Sequence, residues 1–515
     1  MKKNALRSVL IVSMTAALAA CGQQSTPSTI SAQAMAISAQ TTATSVQRYV
    51  VVFRDATLPS DASVRITKAG GKVMKAIGTA GVATITGSAA TRAALEKDTG
   101  VLAVGLEHMY SVPSAVEKVS ASAADGLYSA TGSDALYRYQ WDMRRVGAQV
   151  AANRVGVAQT KVTVGVLDVG VMSDHPDMVG QIAFSKGTNY CLETGKDKTT
   201  GYPVYSKLID FDRFPDWNPG NGCTKADVTY EDHGTHVAGT VAGKAGGGAI
   251  VGVAPGARIA AYKVFDRYRY TDANKRVVDG VGGFDGPIFE AIVDAANLGV
   301  NIINMSLGGT LDRSNKDDNA SWLAWQRVMN YADKKGTLII ASAGNAAESS
   351  NGNLAHIPSD VPGIMSVSAT GVTTLGADAQ GNLVATGPDV LAFYSNYGAS
   401  TDIAAPGGDC GTNSINGLSW CDRPSGNRTK RPADWYTHLI LSSIIDYKTG
   451  EPGYAWFAGT SMASPHVAGV AALVKAQHPE FSSNQLKAYL KRTAENVGQK
   501  QGFGSGLANA DLATR

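Results

Sequence analysis

The residues best suited to chemistry lie near the end of the chain, in the run Gly459-Thr460-Ser461-Met462-Ala463-Ser464-Pro465-His466-Val467-Ala468-Gly469. A glycine followed by small and then apolar residues predicts a turn that feeds a helix, and a proline close to the helix start costs little. Ser461 would then stand at the helix N-terminus, where free N–H groups and the helix dipole stabilise an oxyanion. The Gly-Thr-Ser triplet alone fits a tightly packed helix with an incidental serine at least as well.

Three further segments carry side chains that could act together with a serine nucleophile. Asp168 follows the apolar run 162–167, so its carboxylate is predicted at the C-terminal end of a buried strand, where open α/β sheets build their sites. His233 and His236 open a small-residue helix, and Asn345 follows another apolar run. Each has a plainer explanation: an aspartate that caps a turn, two histidines that bind a metal, and an asparagine that only forms a turn.

Together these segments resemble the subtilisin-like serine proteases. The resemblance rests on Asp168-Val169-Gly170-Val171, the segment His233–Gly239, the segment Ala341–Asn345 and the run around Ser461. It implies that Ser461 is the nucleophile, that His233 is the general base and that Asp168 orients the imidazole. It also implies that the Asn345 amide and the Ser461 N–H hold the oxyanion, and that His236 is a structural neighbour. The order of the three groups is that of subtilisin, and no Gly-x-Ser-x-Gly motif surrounds the serine.

The resemblance also implies how a peptide substrate binds. One glycine-containing segment is similar to the family's segment that pairs with the substrate backbone as an added strand, and a second forms the far wall of the S1 pocket. The residues concerned are Ser306, Leu307, Gly308, Ala343 and Gly344. His356 falls near the floor of this pocket, and the preferred substrate residue there stays open.

The implied chemistry requires no cofactor, but calcium could support the structure. Asp177 matches a calcium-ligand position of the family, whereas the loop 244–248, which should supply an asparagine, contains glycines instead. Acidic residues elsewhere could offer oxygen ligands, although such residues are more often simply solvated. These are Asp210, Asp212, Asp216 and Asp279.

The elements that must position these side chains alternate between strands and helices from about residue 140 onward. This alternation predicts an α/β fold with a mostly parallel sheet and helices on both faces, and the resemblance makes it subtilisin-like. Three segments, 187–230, 268–286 and 408–451, depart from the compact family pattern. We predict that they are surface loops around the cleft.

A smaller unit precedes the catalytic segments. Residues 48–112 have a predicted β-α-β-β-α-β order, a small α+β ferredoxin-like fold, and resemble the propeptide that assists folding of these proteases and inhibits them. A generic ferredoxin-like module is the alternative. Residues 113–134 are small and polar and are predicted to be a processed linker, which leaves 135–515 for the peptidase domain.

The first residues are predicted to direct export. Residues 1–20 combine basic residues with an apolar stretch too short to span a bilayer comfortably, which is typical of a signal peptide. The sequence Leu18-Ala19-Ala20-Cys21 resembles a bacterial lipoprotein cleavage box and predicts a lipid on Cys21; ordinary secretion is the alternative. Residues 21–47 contain few large apolar side chains and are predicted to be a flexible linker.

Four cysteines remain when Cys21 is set aside, an even number that suggests two disulfides in an exported protein. Three pairings are possible. Pairing of nearest neighbours, Cys191 with Cys223 and Cys410 with Cys421, is favoured because each pair falls within one predicted insertion.

The 515-residue chain has a formal net charge of +3, which gives no reason to expect a nucleic-acid partner. The resemblance implies a monomeric, extracellular serine endopeptidase that acts on proteins or peptides. It would be made as a zymogen, inhibited by its own propeptide, and attached to the membrane only through the lipidated precursor. The alternatives are a catalytically silent peptide-binding lipoprotein and an esterase or transpeptidase that uses the same triad.

Overall fold

The computed structural model describes residues 46–111, 115–120, 134–189, 231–271, 277–411, 421, 434–446, 450–498 and 500–515, together with three short strand backbones between 193 and 210. The predicted signal peptide, Cys21, the Cys191–Cys223 pairing, Asp212 and Asp216 lie outside these residues. Only the backbone is described at Asp210 and Asp279.

The first folded unit, residues 46–106, is an antiparallel sheet of four strands with two helices. Its elements are β1 (Gln47–Phe53), α1 (Ala62–Lys68), β2 (Lys72–Ile77), β3 (Val82–Gly87), α2 (Ala89–Glu96) and β4 (Val101–Leu106), with the strand order β2-β3-β1-β4. Side chains of β1, α1 and α2, among them Phe53, Ile66 and Leu95, are buried in a core of their own. The unit, which we call the N-terminal module, has the β-α-β-β-α-β order predicted from the sequence.

Two short strands connect this module to the rest of the chain. They are β5 (Met109–Ser111) and β6 (Glu117–Ser120). β6 falls within the segment predicted to be a linker, so part of that segment is ordered as a strand.

The remaining elements form the large domain. Its helices are α3 (Trp141–Arg145), α4 (Ala148–Val155), α5 (His233–Ala242), α6 (Asp285–Asn297), α7 (Lys316–Lys334), α8 (Thr460–Gln477), α9 (Ser483–Arg492), α10 (Lys500–Phe503) and α11 (Ala510–Ala513). Its strands are β7 (Thr163–Asp168), β8 (Ile182–Gly187), β9 (Glu193–Lys196), β10 (Pro203–Tyr205), β11 (Ile209–Asp210), β12 (Arg258–Lys263), β13 (Asp266–Thr271), β14 (Val277–Phe284), β15 (Ile302–Met305), β16 (Gly309–Asp312), β17 (Leu338–Ser342), β18 (Leu354–Ile357), β19 (Met365–Val372), β20 (Leu375–Ala377), β21 (Leu383–Ala385), β22 (Asp389–Leu391), β23 (Ile403–Pro406), β24 (Ile440–Ile445) and β25 (Pro452–Ala458).

The central sheet runs in the order β8-β12-β7-β15-β17-β19-β22, and β23 also pairs with β19. The pairs are parallel except for antiparallel β22. Inner strands such as β7 and β17 are largely apolar and buried because both faces of the sheet are covered. In β7, Val164 and Val166 face the layer that holds α5 and α8, whereas Leu167 faces the layer that holds α6 and α7. The predicted mostly parallel sheet with helices on both faces is therefore confirmed.

Some boundaries differ from the predictions. The segment 268–286, predicted to be a loop, contains most of β13, all of β14 and the start of α6; the two strands pair as an antiparallel ribbon. Helix α7 begins at Lys316, where the Asn315 side chain caps the first turn by accepting from Asp317 N.

Cys410 and Cys421 form a disulfide with a Cα–Cα distance of 5.4 Å, which confirms that predicted pair. Among the described residues, no helix combines the length and the apolarity that a bilayer crossing requires.

Candidate active site

The carboxyl edge of the central sheet brings Asp168 and His233 together. Asp168 is the last residue of β7, and His233 is the first residue of α5. The carboxylate oxygens of Asp168 lie 2.9 and 3.0 Å from His233 Nδ1, and both side chains are buried. A Cβ at Gly234 would lie 2.1 Å from Gly170 O, so only glycine allows α5 to approach β7 this closely.

The pKa of His233 reflects this contact. Burial lowers the pKa of the imidazole, but the charge of Asp168 and its hydrogen bond raise the pKa more, so the net direction is upward. His233 Nε2 is buried and has no hydrogen-bond partner among the described residues. An imidazole held at Nδ1, with Nε2 available and its basicity increased, can take up a proton at Nε2.

Ser461 lies in the first turn of α8, as the sequence predicts, directly after Gly459 and Thr460. Its Oγ donates to Ser306 O at 3.5 Å, and Ser306 Oγ donates to Ser461 O at 2.8 Å. The Ser461 hydroxyl is therefore not hydrogen-bonded to His233 in this structure. Catalytic hydrogen bonds often form only when substrate is bound, and rotation about the Cα–Cβ bond is enough to redirect a serine hydroxyl.

Asn345 is held beside the start of α8 by Thr460. Asn345 Oδ1 accepts from Thr460 N at 2.9 Å and from Thr460 Oγ1 at 2.7 Å. Gly344 N in turn donates to Thr460 Oγ1 at 3.2 Å. With its oxygen occupied by these donors, the amide turns its NH₂ group away from Thr460, and an added Cβ at Gly459 would lie 3.4 Å from Nδ2. Asn345 thus places a hydrogen-bond donor next to the N-terminus of the serine helix.

The five residues predicted to bind substrate lie directly after two neighbouring strands of the sheet. Ser306, Leu307 and Gly308 follow β15, and Ala343 and Gly344 follow β17; the two strands are parallel neighbours. All five residues are buried.

His356 fills the space between these two segments, as the sequence suggests. A Cβ at Gly308 would lie 2.3 Å from His356 Cε1, and one at Gly344 would lie 2.7 Å from His356 Nε2. Burial lowers the pKa of His356, so the ring is mainly neutral at pH 7. A cavity of about 200 Å³ opens beside this ring and is also lined by Ala343, Glu348 and Asn396.

His236, for which a metal role is one possibility, is hydrogen-bonded within the protein. His236 Nε2 faces the carbonyls of Ile440 and Ala455 at 3.1 and 3.2 Å, and burial lowers the pKa of His236 to about 3. That nitrogen must carry the proton, so it is unavailable to a metal. No group of three or more His, Cys, Asp or Glu side chains that could hold a metal was found among the described residues.

The surroundings of Asp177 give calcium little support. Its carboxylate accepts from Ser443 Oγ at 2.9 Å and from Ile250 N at 3.3 Å, and burial raises its pKa. Calcium requires several oxygen ligands, preferably with further carboxylates, whereas hydrogen-bond donors approach Asp177 here. The described residues around Asp177 do not complete a calcium site, so its calcium role stays an untested prediction.

Sequence reasoning missed a buried polar network behind the serine. Ser464 Oγ donates to Asn304 Oδ1 at 2.6 Å, and Asn304 Nδ2 donates to Ser306 Oγ at 3.0 Å. A signal was present: Asn304 interrupts the apolar strand Ile302–Met305, and a fully buried amide must be hydrogen-bonded. The network links β15 to α8 and fixes Ser306 against Ser461.

Comparison with known proteins shows what the chain is similar to. The subtilase family model matches residues 159–506. Alkaline elastase YaB from Bacillus sp. (strain YaB) is 32% identical over 375 residues, which cover 73% of this chain and 70% of that protein. Subtilisin BL from Lederbergia lenta is 30% identical over 379 residues, which cover 73% and 98%.

A similar fold occurs in the crystal structure of an epidermin leader peptide processing serine protease from Staphylococcus aureus. Its TM-score is 0.63 at 22% identity, with 91% of this chain and 98% of that chain covered. The family match spans the segments that carry the aspartate, the histidine, the asparagine and the serine. The chain therefore belongs to the subtilase family and is a subtilisin-like serine protease.

Proposed function

We propose that the protein is an exported serine endopeptidase in which Ser461, His233 and Asp168 form the catalytic triad. The observation that supports this most is the contact between Asp168 and His233 Nδ1, at the sheet edge where Ser306 bonds to the serine. The available Nε2 of His233 is the atom that must accept the serine proton.

In the proposed reaction, Ser461 Oγ attacks the scissile carbonyl while His233 Nε2 takes its proton. The C–N bond then breaks as His233 returns the proton to the leaving amine, and an acyl-enzyme remains. Water then attacks the acyl-enzyme while His233 takes its proton, and the carboxylic acid product is released as Ser461 regains its proton. Asp168 keeps Nδ1 protonated and stabilises the imidazolium, which is consistent with the raised pKa of His233.

The oxyanion is proposed to lie between the Asn345 amide and the N–H of Ser461. Thr460 occupies the amide oxygen, so the NH₂ group is oriented before substrate arrives. Such preorganised donors are effective because they need no reorientation as charge develops, and removing one typically costs about 10²–10³ in kcat.

We further propose that the N-terminal module is an inhibitory propeptide. β5 pairs with β14 in antiparallel register, Tyr110 opposite Gly283, and an added Cβ at Gly309 would lie 3.0 Å from the Tyr110 ring. The module body packs on α7, where Arg327 donates to backbone carbonyls of Arg54 and Asp55 at 3.2 and 2.8 Å. These contacts support a module that covers the substrate segment until it is removed.

The same arrangement supports a processing cut between Ser111 and Ala115. β5 lies on the substrate-binding side, and Val116 N donates to Ala458 O at 2.8 Å, three residues before Ser461. A cut there would also separate the catalytic domain from a lipid on Cys21. Export and lipidation rest on the sequence pattern of residues 1–21.

The experiment that tests this function compares the natural chain with Ser461→Ala and with Ser482→Ala, a serine that caps α9. We expect the natural chain and Ser482→Ala to lose the module and to react with a fluorophosphonate probe. Ser461→Ala should do neither and should stay membrane-bound if Cys21 carries lipid. Processed protein that binds peptides but never reacts with the probe would favour the silent binding lipoprotein.

A further inference from the structure

The strand that follows β5 pairs with a different element of the large domain. β6 pairs with β25 in antiparallel register, Glu117 opposite Ala458 and Lys118 opposite Phe457. β25 ends at Ala458, so the four residues that pair with β6 lie three to six positions before Ser461. β6 therefore occupies the backbone edge that leads directly into the serine helix.

The two strands on either side of residues 112–114 lie against different elements that connect to the serine: Gly309, beside Tyr110 of β5, lies three residues after Ser306, which bonds to Ser461, and β25, beside β6, runs into α8. β5 lies against β14 and the segment after Ser306, and β6 lies against β25. A peptide that follows this path enters along β14 and leaves along β25. In acyl transfer to Ser461, the part before the cut becomes the acyl group, and the part along β25 belongs to the leaving amine.

Lys118 reaches a defined acceptor on this leaving side. Its Nζ is bonded to Asp232 Oδ2 and lies 5.1 Å from the centroid of the Phe457 ring. The Asp232 side chain is only 9% exposed and directly precedes His233. A poorly hydrated carboxylate beside an aromatic face favours a cationic side chain and disfavours an anionic one.

We propose that Asp232 and Phe457 form a subsite for a lysine or arginine side chain on the leaving-group side of the scissile bond, and that Lys118 fills it in the zymogen. This inference rests on the proposed protease function. The subsite accepts the residue two positions beyond the one whose N–H binds Ala458 O, because Val116 and Lys118 have that spacing.

The test uses internally quenched peptides with a fixed cut site and either lysine or glutamate at each of the first six leaving-side positions. For the processed natural enzyme, we expect kcat/KM to favour lysine over glutamate by about 10-fold or more at one position, the size expected of a partly buried charge pair. Asp232→Asn should bring this ratio close to 1, and Asp232→Lys should invert it.

The ratio within one enzyme is the readout because Asp232 also raises the pKa of His233, so its replacement changes overall activity. Asp378→Asn, the same change in the turn between β20 and β21, should keep the natural ratio. Cleavage with no lysine preference at any position would overturn the subsite and leave the protease intact. Failure to cleave any peptide would instead overturn the proposed function.

The zymogen offers an independent readout of the same subsite. In Lys118→Glu, we expect release of the N-terminal module to slow several-fold, and Asp232→Lys in the same chain should restore part of the rate. Processing at the natural rate in Lys118→Glu would show that Lys118 does not fill the subsite.

Discussion

At the scale of single residues, two side chains of the site each have one polar atom held by a hydrogen bond within the protein. Asp168 fixes one nitrogen of His233, and Thr460 occupies the oxygen of Asn345. In both cases this hydrogen bond also orients the other polar atom of the side chain, which is Nε2 in His233 and Nδ2 in Asn345. His356 is of another kind, because its ring occupies space between Gly308 and Gly344 and controls size rather than orientation.

His356 leads to a prediction about the residue before the scissile bond. Because a neutral imidazole fills the space between the two walls of the proposed S1 pocket, the natural enzyme should favour small residues such as alanine there. His356→Gly should raise kcat/KM for phenylalanine relative to alanine by about 10-fold or more, a gain in the range that pocket size confers. Peptides that differ only at this position measure the ratio.

His478→Gly provides the control, because it is the same change at a histidine that directly follows α8 and stacks on Phe481 rather than on the proposed pocket. A natural enzyme that already prefers phenylalanine, with no change in His356→Gly, would contradict the assignment of His356 to this pocket.

At the scale of elements, helix α8 is anchored to α3 by a buried histidine–aspartate contact that the sequence does not reveal. His466 Nδ1 donates to Met462 O at 2.8 Å, and His466 Nε2 lies 2.9 Å from Asp142 Oδ2 on α3. Both side chains have no exposed surface. The pair ties the start of the large domain to the turn that follows the serine.

Asp142→Ala should therefore destabilise the protein strongly, because it leaves His466 buried with a ring nitrogen and no partner. Breaking a buried pair typically costs about 3–5 kcal/mol. Denaturant unfolding in a Ser461→Ala background, which avoids self-digestion, measures the shift in midpoint.

The exposed pair His478–Glu480 supplies a matched control. Glu480→Ala should leave the midpoint nearly unchanged because exposed pairs contribute little. Equal shifts in the two variants would contradict an anchoring role for Asp142.

The elements also show which features could be predicted from the sequence and which could not. The apolar strand before Asp168 and the small-residue helix at Ser461 have clear local patterns, so the sequence could predict the fold class and place both residues at the ends of these elements. The roles of Asp168, His233 and Asn345 came from the family resemblance and stay predictions. Asp142, Thr460 and Asn304 act through partners more than a hundred residues away, and their types alone predict nothing about those contacts. The ribbon of β13 and β14 was missed because its stability comes partly from pairing with β5, a segment from another part of the chain.

At the scale of the whole molecule, the N-terminal module meets the large domain through a buried, titratable cluster. Tyr110 OH donates to Asp285 Oδ1 at 2.7 Å, and Trp325 Nε1 donates to the same oxygen at 3.0 Å. His108 N donates to Asp285 Oδ2 at 3.1 Å, and His108 Nε2 lies 3.2 Å from Asp318 Oδ1. The charge on this cluster sets how the docked state responds to pH.

The docked module should loosen as pH rises. Burial raises the pKa of Asp285 to about 6, and the pKa of His108 is also raised: burial lowers it, but Asp318, Asp285 and Asp317 outweigh burial. The carboxylates that raise the pKa of His108 belong to the large domain, so docking makes this imidazole hold its proton more tightly. The stabilisation that His108 contributes is therefore lost as pH rises through its raised pKa. This loss occurs above about pH 6.5, the ordinary pKa of histidine.

Amide exchange in full-length Ser461→Ala, corrected for intrinsic rates, measures this effect on β5. Protection should fall several-fold between pH 6 and 8, and His108→Gln should remove most of the change in that interval. Protection that rises with pH would contradict the assigned direction.

Because β5 and β6 rest on different elements, a cut between them leaves an upstream fragment that must dissociate and a downstream end that stays attached to the large domain and must detach from β25. The upstream fragment is retained by a three-residue strand, Tyr110 and the body of the module; the downstream end is retained by four paired residues and one ammonium group. Full turnover then requires two departures rather than one. The slower departure, and not bond breaking, would set the time at which the cleft first becomes accessible.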